Sequence, residues 1–258
     1  MEDLRITDDI RKAVEKIYQV KAEIALMYTK SIQEKAERLG EEIDWETSFQ
    51  MVHGQNKFQS FVTSMADSHR RSHRVKALLG LLPTAGVLHR RLPDTYKFEK
   101  CPVCRSDNET HDHIWECPRT KEIRESVIAE AAALWTEKTG RTTEYQISED
   151  LTLLARELFE KTPNSRLISK VPETWIFQGY IPKIWTLATT WVTGSVTKAK
   201  KIIEALMDLI TTRSQKEIWN PRCQQQIKWE RTLRIGNKEK RKRKKREKQK
   251  KQGKRIKR

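Results

Sequence analysis

The sequence predicts a mainly α-helical protein in which helical segments flank one small Cys- and His-rich knuckle and lead into a disordered or extended basic C-terminal tail. Apolar residues recur at helical spacing in several segments, whereas no run alternates apolar and polar residues for long enough to predict a strand. Three of the four cysteines fall within seventeen residues, from Cys101 to Cys117. The 258 residues include 36% hydrophobic residues and eight Trp, which excludes a wholly disordered polypeptide.

Residues 1–44 are predicted to form an N-terminal amphipathic helix. Apolar side chains between Thr7 and Leu39 recur at steps of three, four or seven residues, so they form one helical stripe that faces a partner. Gly40 is the predicted end of this helix. The stripe consists of Ile10, Val14, Ile17, Ile24, Tyr28, Ile32, Ala36 and Leu39.

Residues 45–118 are predicted to combine short helices, interrupted at Pro83 and Pro93, with the knuckle at residues 95–120. Two basic clusters precede the knuckle. One interpretation is that folding brings both clusters beside the knuckle as a single phosphate-binding face. The alternative is that they are the solvated sides of two amphipathic helices. The candidate nucleic-acid-binding residues here are Arg70, Arg71, Arg74, Arg90 and Arg91.

Four residues of the knuckle have the spacing of a zinc site. Cys101 and Cys104 form a CxxC turn, and His113 precedes Cys117 by four residues, one turn of a helix. Three thiolates and one imidazole fill a tetrahedral shell and leave no position for a catalytic water, so the predicted cofactor is structural zinc. The alternative is a group of reduced, buried cysteines beside a surface histidine. His111 is a rival to His113, with a less favourable spacing.

Trp115 has two possible roles, whereas Cys223 has no predicted functional role. Trp115 lies between two of the ligands, where it either stacks on a nucleic acid base or covers the zinc site. Cys223 is more than a hundred residues from the knuckle and has no companion, so we expect a small buried side chain.

The knuckle is embedded in a series of short motifs: Leu82-Pro83-Thr84, Leu88-His89-Arg90-Arg91, Tyr96, Cys101-Pro102-Val103-Cys104, Glu109-Thr110, His113-Ile114 and Cys117-Pro118. Over residues 75–118 this series resembles the zinc-binding segment near the C-terminus of reverse transcriptase polyproteins from non-LTR retrotransposons. Residues 218–235 resemble more weakly the extreme C-terminus of fungal members, through Ile218-Trp219, Arg222-Cys223 and Trp229-Glu230.

The resemblance implies a knuckle that binds element RNA or target DNA and catalyses nothing itself. The chain lacks the Tyr-x-Asp-Asp of a polymerase. Residues 33–39 faintly resemble the last helix of ribonuclease H, which would place Glu37 at a catalytic position, and Pro93-Asp94 is the only Pro-Asp pair that an endonuclease of the restriction type would use. Neither is joined by the further carboxylates that hold two metal ions, so a residual nuclease is the weakest hypothesis.

Residues 119–236 are predicted to be a C-terminal helical region whose role the sequence does not indicate. Thr120 and Ser148 are candidate caps of helices that end near Lys138 and Lys161.

A longer helix is predicted from Pro182 to Arg213, with a kink at Gly194 and one broad apolar face. Asn220 and Pro221 are the predicted N-cap and first residue of a last helix.

The basicity of the chain is concentrated in the tail, residues 237–258. Residues 238–258 hold fifteen Lys or Arg and two Glu, which is +13 of the total net charge of +17. This composition cannot bury enough surface to order itself, and it predicts nucleic acid (RNA or DNA) and a nuclear import receptor as partners. The alternative is a solubilising tail, and no apolar face adjoins it to anchor it in a membrane. Its densest part is Lys242, Arg243, Lys244, Lys245 and Arg246.

These features together predict a non-catalytic zinc-knuckle protein that binds nucleic acid in the nucleus. No apolar run is long enough to span a membrane, and acidic residues interrupt the first twenty positions where a secretory signal would have its apolar core. The rival hypothesis is a nuclear protein-protein adaptor, in which zinc only staples the fold and the Trp-rich helices dock another protein.

Overall fold

The structure is a computed structural model that describes residues 10–53, 65–141, 148–160 and 169–240. Over these ranges the protein is mainly α-helical, as predicted, and contains no strand beyond the isolated bridges Ile43–Pro182 and Lys100–Asn108. None of the described helices is both long and apolar enough to cross a bilayer. The α-helices are α1 Ile10–Met27, α2 Lys30–Leu39, α3 Trp45–His53, α4 Met65–Leu78, α5 Ala85–Arg91, α6 His113–Glu116, α7 Lys121–Gly140, α8 Ser148–Phe159, α9 Glu173–Gln178, α10 Lys183–Thr193, α11 Val196–Ser214, α12 Asn220–Thr232 and α13 Asn237–Lys240.

The core is centred where α7, α8, α10 and α11 pack together. Trp135 on α7 is fully buried and donates its indole N–H to the hydroxyl of Thr189 on α10, at 2.8 Å. Trp185 on α10 donates to the carbonyl of Leu158 at 3.1 Å, and its ring lies 4.5 Å from that of Phe159. Both buried indole N–H groups therefore have acceptors, so these large side chains fill the core without an unpaired donor.

The predicted single helix at the N-terminus is two helices. The backbone of Thr29 is extended, with φ −75° and ψ 135°, and it separates α1 from α2. Only the second helix buries its part of the stripe, with Ile32 completely covered. Leu39 ends α2 at the predicted place, but Gly40 stays in the right-handed region and begins a 3₁₀ turn, Gly40–Glu42. The part of the stripe on α1 is exposed, namely Ile10, Val14, Ile17, Ile24 and the following Tyr28.

The helix predicted from Pro182 to Arg213 is also two helices, α10 and α11. Gly194 ends α10 with φ +62°, a left-handed conformation that stops the helix where we predicted a kink. Ser195 then caps α11, its hydroxyl accepting the backbone N–H of Lys198. Trp185 and Trp191 both lie on α10 but six residues apart, on different sides of the helix, and Trp185 is buried whereas Trp191 is 81% exposed.

The predicted N-cap at Asn220 is wrong, because the chain is already helical there. A π-helical turn, Gln215–Trp219, joins α11 to α12, and Asn220 has φ −64° and ψ −46°. Pro221 lacks an N–H and crowds the preceding turn, and a wider π turn accommodates both effects without ending the helix.

The two other predicted caps lie at helix starts. Thr120 precedes α7, although its side chain makes no capping bond, and Ser148 begins α8, which ends at Phe159, slightly before the predicted end.

Candidate metal centre

A tight turn brings the first two cysteines of the knuckle together. The bridge between Lys100 and Asn108 closes the turn, and the backbone N–H of Cys101 donates to the carbonyl of Asp107 at 2.8 Å. Arg105 donates its N–H back to the carbonyl of Cys101 at 2.9 Å and adopts a positive φ of 62°. The left-handed residue reverses the chain directly after Cys104.

The other two ligands come from the short helix α6. Its first residue is His113, whose N–H donates to the hydroxyl of Thr110 at 3.0 Å, and Cys117 directly follows the helix. One ligand atom from each of Cys101, Cys104, His113 and Cys117 can be chosen so that all lie within 4.8 Å of one another. This spread is slightly wider than the roughly 4 Å expected for a tetrahedral zinc shell. The four predicted residues therefore form one cluster that can hold a metal ion.

His111 is not part of the cluster, as the preference for His113 predicted. Nε2 of His113 lies 3.4 Å from Sγ of Cys104, whereas the His111 ring lies beside Gly80. Burial lowers the pKa of His111 to about 4, because the protonated ring would lose its solvation there. His111 is thus a neutral, packed side chain.

The three cysteines have different acidities before any ion is bound. Burial raises the pKa of Cys101 to about 12, and burial also raises the pKa of Cys117. Burial acts in the same direction on Cys104, but hydrogen bonds from the backbone of Asp107 and from Ser106 outweigh it and lower the pKa of Cys104 to about 6. Cys104 is therefore the first of the three thiols to lose its proton as the pH rises. A bound cation is needed to hold the other two in the thiolate form near neutral pH.

Trp115 does not offer a stacking surface for nucleic acid. Its side chain is fully buried, and its ring lies parallel to that of Phe177 on α9 with the centroids 6.2 Å apart. The prediction of base stacking by this ring is wrong, because the stacking partner is a protein side chain. The alternative, that Trp115 covers the zinc site, stays a prediction; the side chain lies on α6 and packs against α9.

The arginines of α4 differ in their exposure to solvent. Arg70 is exposed, whereas Arg71 is half-buried and lines a groove with Ala22 and Val75. Arg74 pairs with Asp208 on α11 at 2.5 Å. The charge of Arg74 is therefore engaged within the fold, and the role of the α4 arginines in nucleic-acid binding stays a prediction.

Arg90 and Arg91 are exposed in the last turn of α5, which leads to the knuckle. A single face shared by these two residues and the basic cluster on α4 stays a prediction. The tail residues Lys242, Arg243, Lys244, Lys245 and Arg246 lie outside the described residues.

A buried ion pair behind the metal centre escaped the sequence analysis. Glu109 and Arg222 are 1% and 3% exposed, and Nε of Arg222 donates to Oε1 of Glu109 at 2.7 Å while Nη2 donates to Oε2. Oε2 also accepts the N–H of Ala85 at 2.5 Å. The guanidinium carbon lies 5.2 Å from the centroid of the Trp219 ring. This pair connects the knuckle, α5 and α12.

A second buried contact lies on the same side of the knuckle. The hydroxyl of Tyr96 donates to Oε1 of Glu230 at 2.9 Å, and Gln226 donates to the same oxygen at 3.3 Å. The other oxygen of Glu230 pairs with Lys240. Both buried contacts join a residue from the motif series around the knuckle to a residue from 218–235. The sequence does not reveal these contacts, because a charged residue type does not indicate whether its side chain is buried.

Cys223 and Glu37 lie outside the metal cluster. Cys223 packs partly buried against the core, close to the prediction. Glu37 is exposed on α2. Over the part of the chain that the structure describes, the four knuckle residues form the only group of three or more His, Cys, Asp and Glu side chains close enough to hold a metal.

Comparison of the chain with protein-family models, with curated proteins and with solved structures found no match.

Proposed function

We propose that this protein is a non-catalytic zinc-knuckle domain that binds RNA or DNA, and that it derives from the C-terminal region of a non-LTR retrotransposon reverse transcriptase. The observation that carries the proposal is the convergence of Cys101, Cys104, His113 and Cys117. Zinc is the metal that best suits three thiolates and one imidazole in a closed shell. Because all four ligands come from the protein, the ion stabilises the fold and performs no reaction.

The pairing of the motifs supports the proposed origin. Glu109 and Tyr96 belong to the segment with the stronger resemblance, and their partners Arg222 and Glu230 belong to the segment with the weaker one. Two distant segments that resemble the same family thus complete each other's buried polar contacts.

The proposed partner is nucleic acid because much of the free positive charge is close to the knuckle or follows it in the chain. Arg90 and Arg91 are exposed, and the +13 tail follows α12. A charge of this density binds phosphates by releasing condensed counterions, which makes affinity strongly dependent on salt.

Salt dependence separates the contribution of the folded domain from that of the tail. We expect the full chain to bind single strands with a slope of log K against log salt of roughly −0.7 for each phosphate neutralised. A protein ending at residue 236 is expected to bind more weakly and with a shallower slope. Fluorescence anisotropy with labelled RNA and single-stranded DNA of equal length measures both.

Intact zinc content in the truncated protein is the control for folding. If that protein binds neither RNA nor DNA at low salt while its zinc content is unchanged, the folded domain is not a nucleic-acid-binding module.

The second candidate function, a nuclear adaptor, would then replace the first. It is favoured by one feature, the exposed apolar stripe of α1, where Ile10 and Ile17 are 66% and 54% exposed. An exposed apolar stripe on a helix is typical of a surface that binds another protein.

We further propose that the tail directs the protein to the nucleus through an import receptor. Residues 240–248 contain eight Lys or Arg among nine residues, the composition that import receptors bind. A fluorescent fusion lacking residues 238–258 is expected to stay in the cytoplasm, whereas the intact fusion is nuclear. Equal nuclear signal from both fusions would identify the tail as a solubilising segment instead.

A further inference from the structure

We propose that Phe98, held against Trp229, is a base-stacking site for single-stranded nucleic acid, on the surface from which the basic tail starts. This inference rests on the proposed function and names the part of the surface that contacts bases. It assigns to Phe98 the role that the sequence analysis gave to Trp115.

The first observation is an aromatic side chain that is anchored but not covered. Phe98 is 56% exposed, although Tyr96, two residues earlier, is 2% exposed. The centroids of Phe98 and Trp229 are 6.5 Å apart and the ring planes are inclined by 61°. This is an edge contact rather than a parallel stack, so Trp229 contacts the Phe98 ring and leaves at least one of its two faces free of Trp229.

Hydrogen bonds hold the residues on both sides of Phe98 in place. The hydroxyl of Tyr96 bonds to Glu230 at 2.9 Å, one residue beyond Trp229 on α12. After Phe98, the N–H of Glu109 donates to the carbonyl of Glu99 at 2.7 Å. A ring fixed in this way loses little conformational entropy when a base stacks on it.

The second observation is the charge around the ring. Lys97 and Lys100 flank Phe98 in sequence and are exposed, and α12 presents Lys228 and Arg231 to solvent. Of the two glutamates next to the aromatic pair in sequence, Glu99 has an oxygen 3.6 Å from Nε2 of His89, and Glu230 is buried and pairs with Lys240. An exposed aromatic ring flanked by exposed cations is the arrangement that binds single strands, with stacked bases and neutralised phosphates.

The third observation is the origin of the tail. Lys240 pairs with Glu230, the same carboxylate that accepts from Tyr96. Lys240, the last described residue, is therefore held by the residue that follows Trp229 on α12. The strongly basic composition of the residues that follow Lys240 in the chain favours nucleic acid over a protein partner at this surface.

The test compares Phe98 variants of the full-length protein on a 12-nucleotide single strand and on a duplex of the same sequence. Phe98→Ala and Phe98→Leu are each expected to weaken single-strand binding roughly 5- to 100-fold, with a small effect on the duplex. Phe98→Tyr retains a ring and is expected to retain affinity. Trp191→Ala is the matched control, because it removes an aromatic ring that is 81% exposed on α10.

Each result separates this inference from the proposed function. If the unmodified protein binds single strands and Phe98→Ala binds them equally well, the stacking site is wrong and the proposed function stands. If Phe98→Leu keeps full affinity, the side chain supplies only apolar contact and the stacking role is also wrong. If the unmodified protein binds no nucleic acid, the proposed function itself fails. Zinc content and circular dichroism confirm that each variant is folded.

Discussion

Cys104→Ser is expected to abolish stoichiometric metal binding and to unfold residues 95–120. Structural zinc sites contribute about 10–16 kcal/mol of apparent binding free energy in small peptides, whereas whole domains are stable by about 5–15 kcal/mol. The knuckle therefore cannot stay folded on its remaining contacts. The helices α7, α10 and α11 pack mainly with one another and are expected to persist. Zinc content per chain and hydrogen exchange along the sequence measure the two effects separately.

Cys223→Ser is the matched control for this variant. It makes the same change of one sulfur to oxygen, but Cys223 lies outside the four-residue cluster. The control is expected to keep one zinc ion per chain and the same exchange pattern. A Cys104→Ser protein that retained full zinc and slow exchange over residues 95–120 would show that the cluster consists of reduced cysteines packed beside a histidine.

Arg222→Met is expected to destabilise the protein by about 3–5 kcal/mol, because it leaves the carboxylate of Glu109 buried without its cation. Although burial lowers the pKa of Arg222, its hydrogen bond and charge interaction with Glu109 more than compensate and raise that pKa above its usual value. Urea denaturation followed by circular dichroism measures the free energy of unfolding. Hydrogen exchange should become faster first at α12 and in the knuckle, because this ion pair joins them.

A double variant shows whether the cost comes from the unpaired charge. Glu109→Gln with Arg222→Met removes both charges, and it is expected to be less destabilised than the sum of the single variants. Arg213→Met is the control, because Arg213 pairs with Glu130 and Glu217 while still 30% exposed, and such pairs are worth about 0–1 kcal/mol. A cost for Arg222→Met no larger than that of the control would mean that the pair does not hold α12 to the knuckle.

The local elements could be predicted because each depends on residues close together in the chain. Apolar spacing predicted a helix that includes α2, and cap residues predicted helices at α7 and α8. The spacing of Cys101, Cys104, His113 and Cys117 predicted the cluster that the structure contains. In the cluster the turn and the short helix are set by local hydrogen bonds, which a sequence motif encodes directly. The helix predictions that were wrong concern positions at which two local rules compete.

Gly194 and Asn220 illustrate such competition. Glycine permits both a kink and a left-handed stop, and the decision at Gly194 depends on whether α11 packs across α10, which it does. Asn220-Pro221 has the chemistry of a helix start, but burial of Ile218 and Trp219 in the core keeps the preceding turn helical. Tertiary packing outweighs a cap worth about 1 kcal/mol.

By itself, the sequence of this protein determined the helical class, the four residues of the cluster that can hold a metal ion, and the location of its excess charge. Only the tertiary structure decided which aromatic and charged side chains are available to a partner. Trp115 is buried against Phe177 while Phe98 is exposed. Arg74 and Arg222 pair with Asp208 and Glu109, whereas Arg90 and Arg91 are exposed and form no ion pair with the described residues. The physical reason is that exposure and pairing depend on segments more than a hundred residues apart, and no local pattern specifies which of them meet.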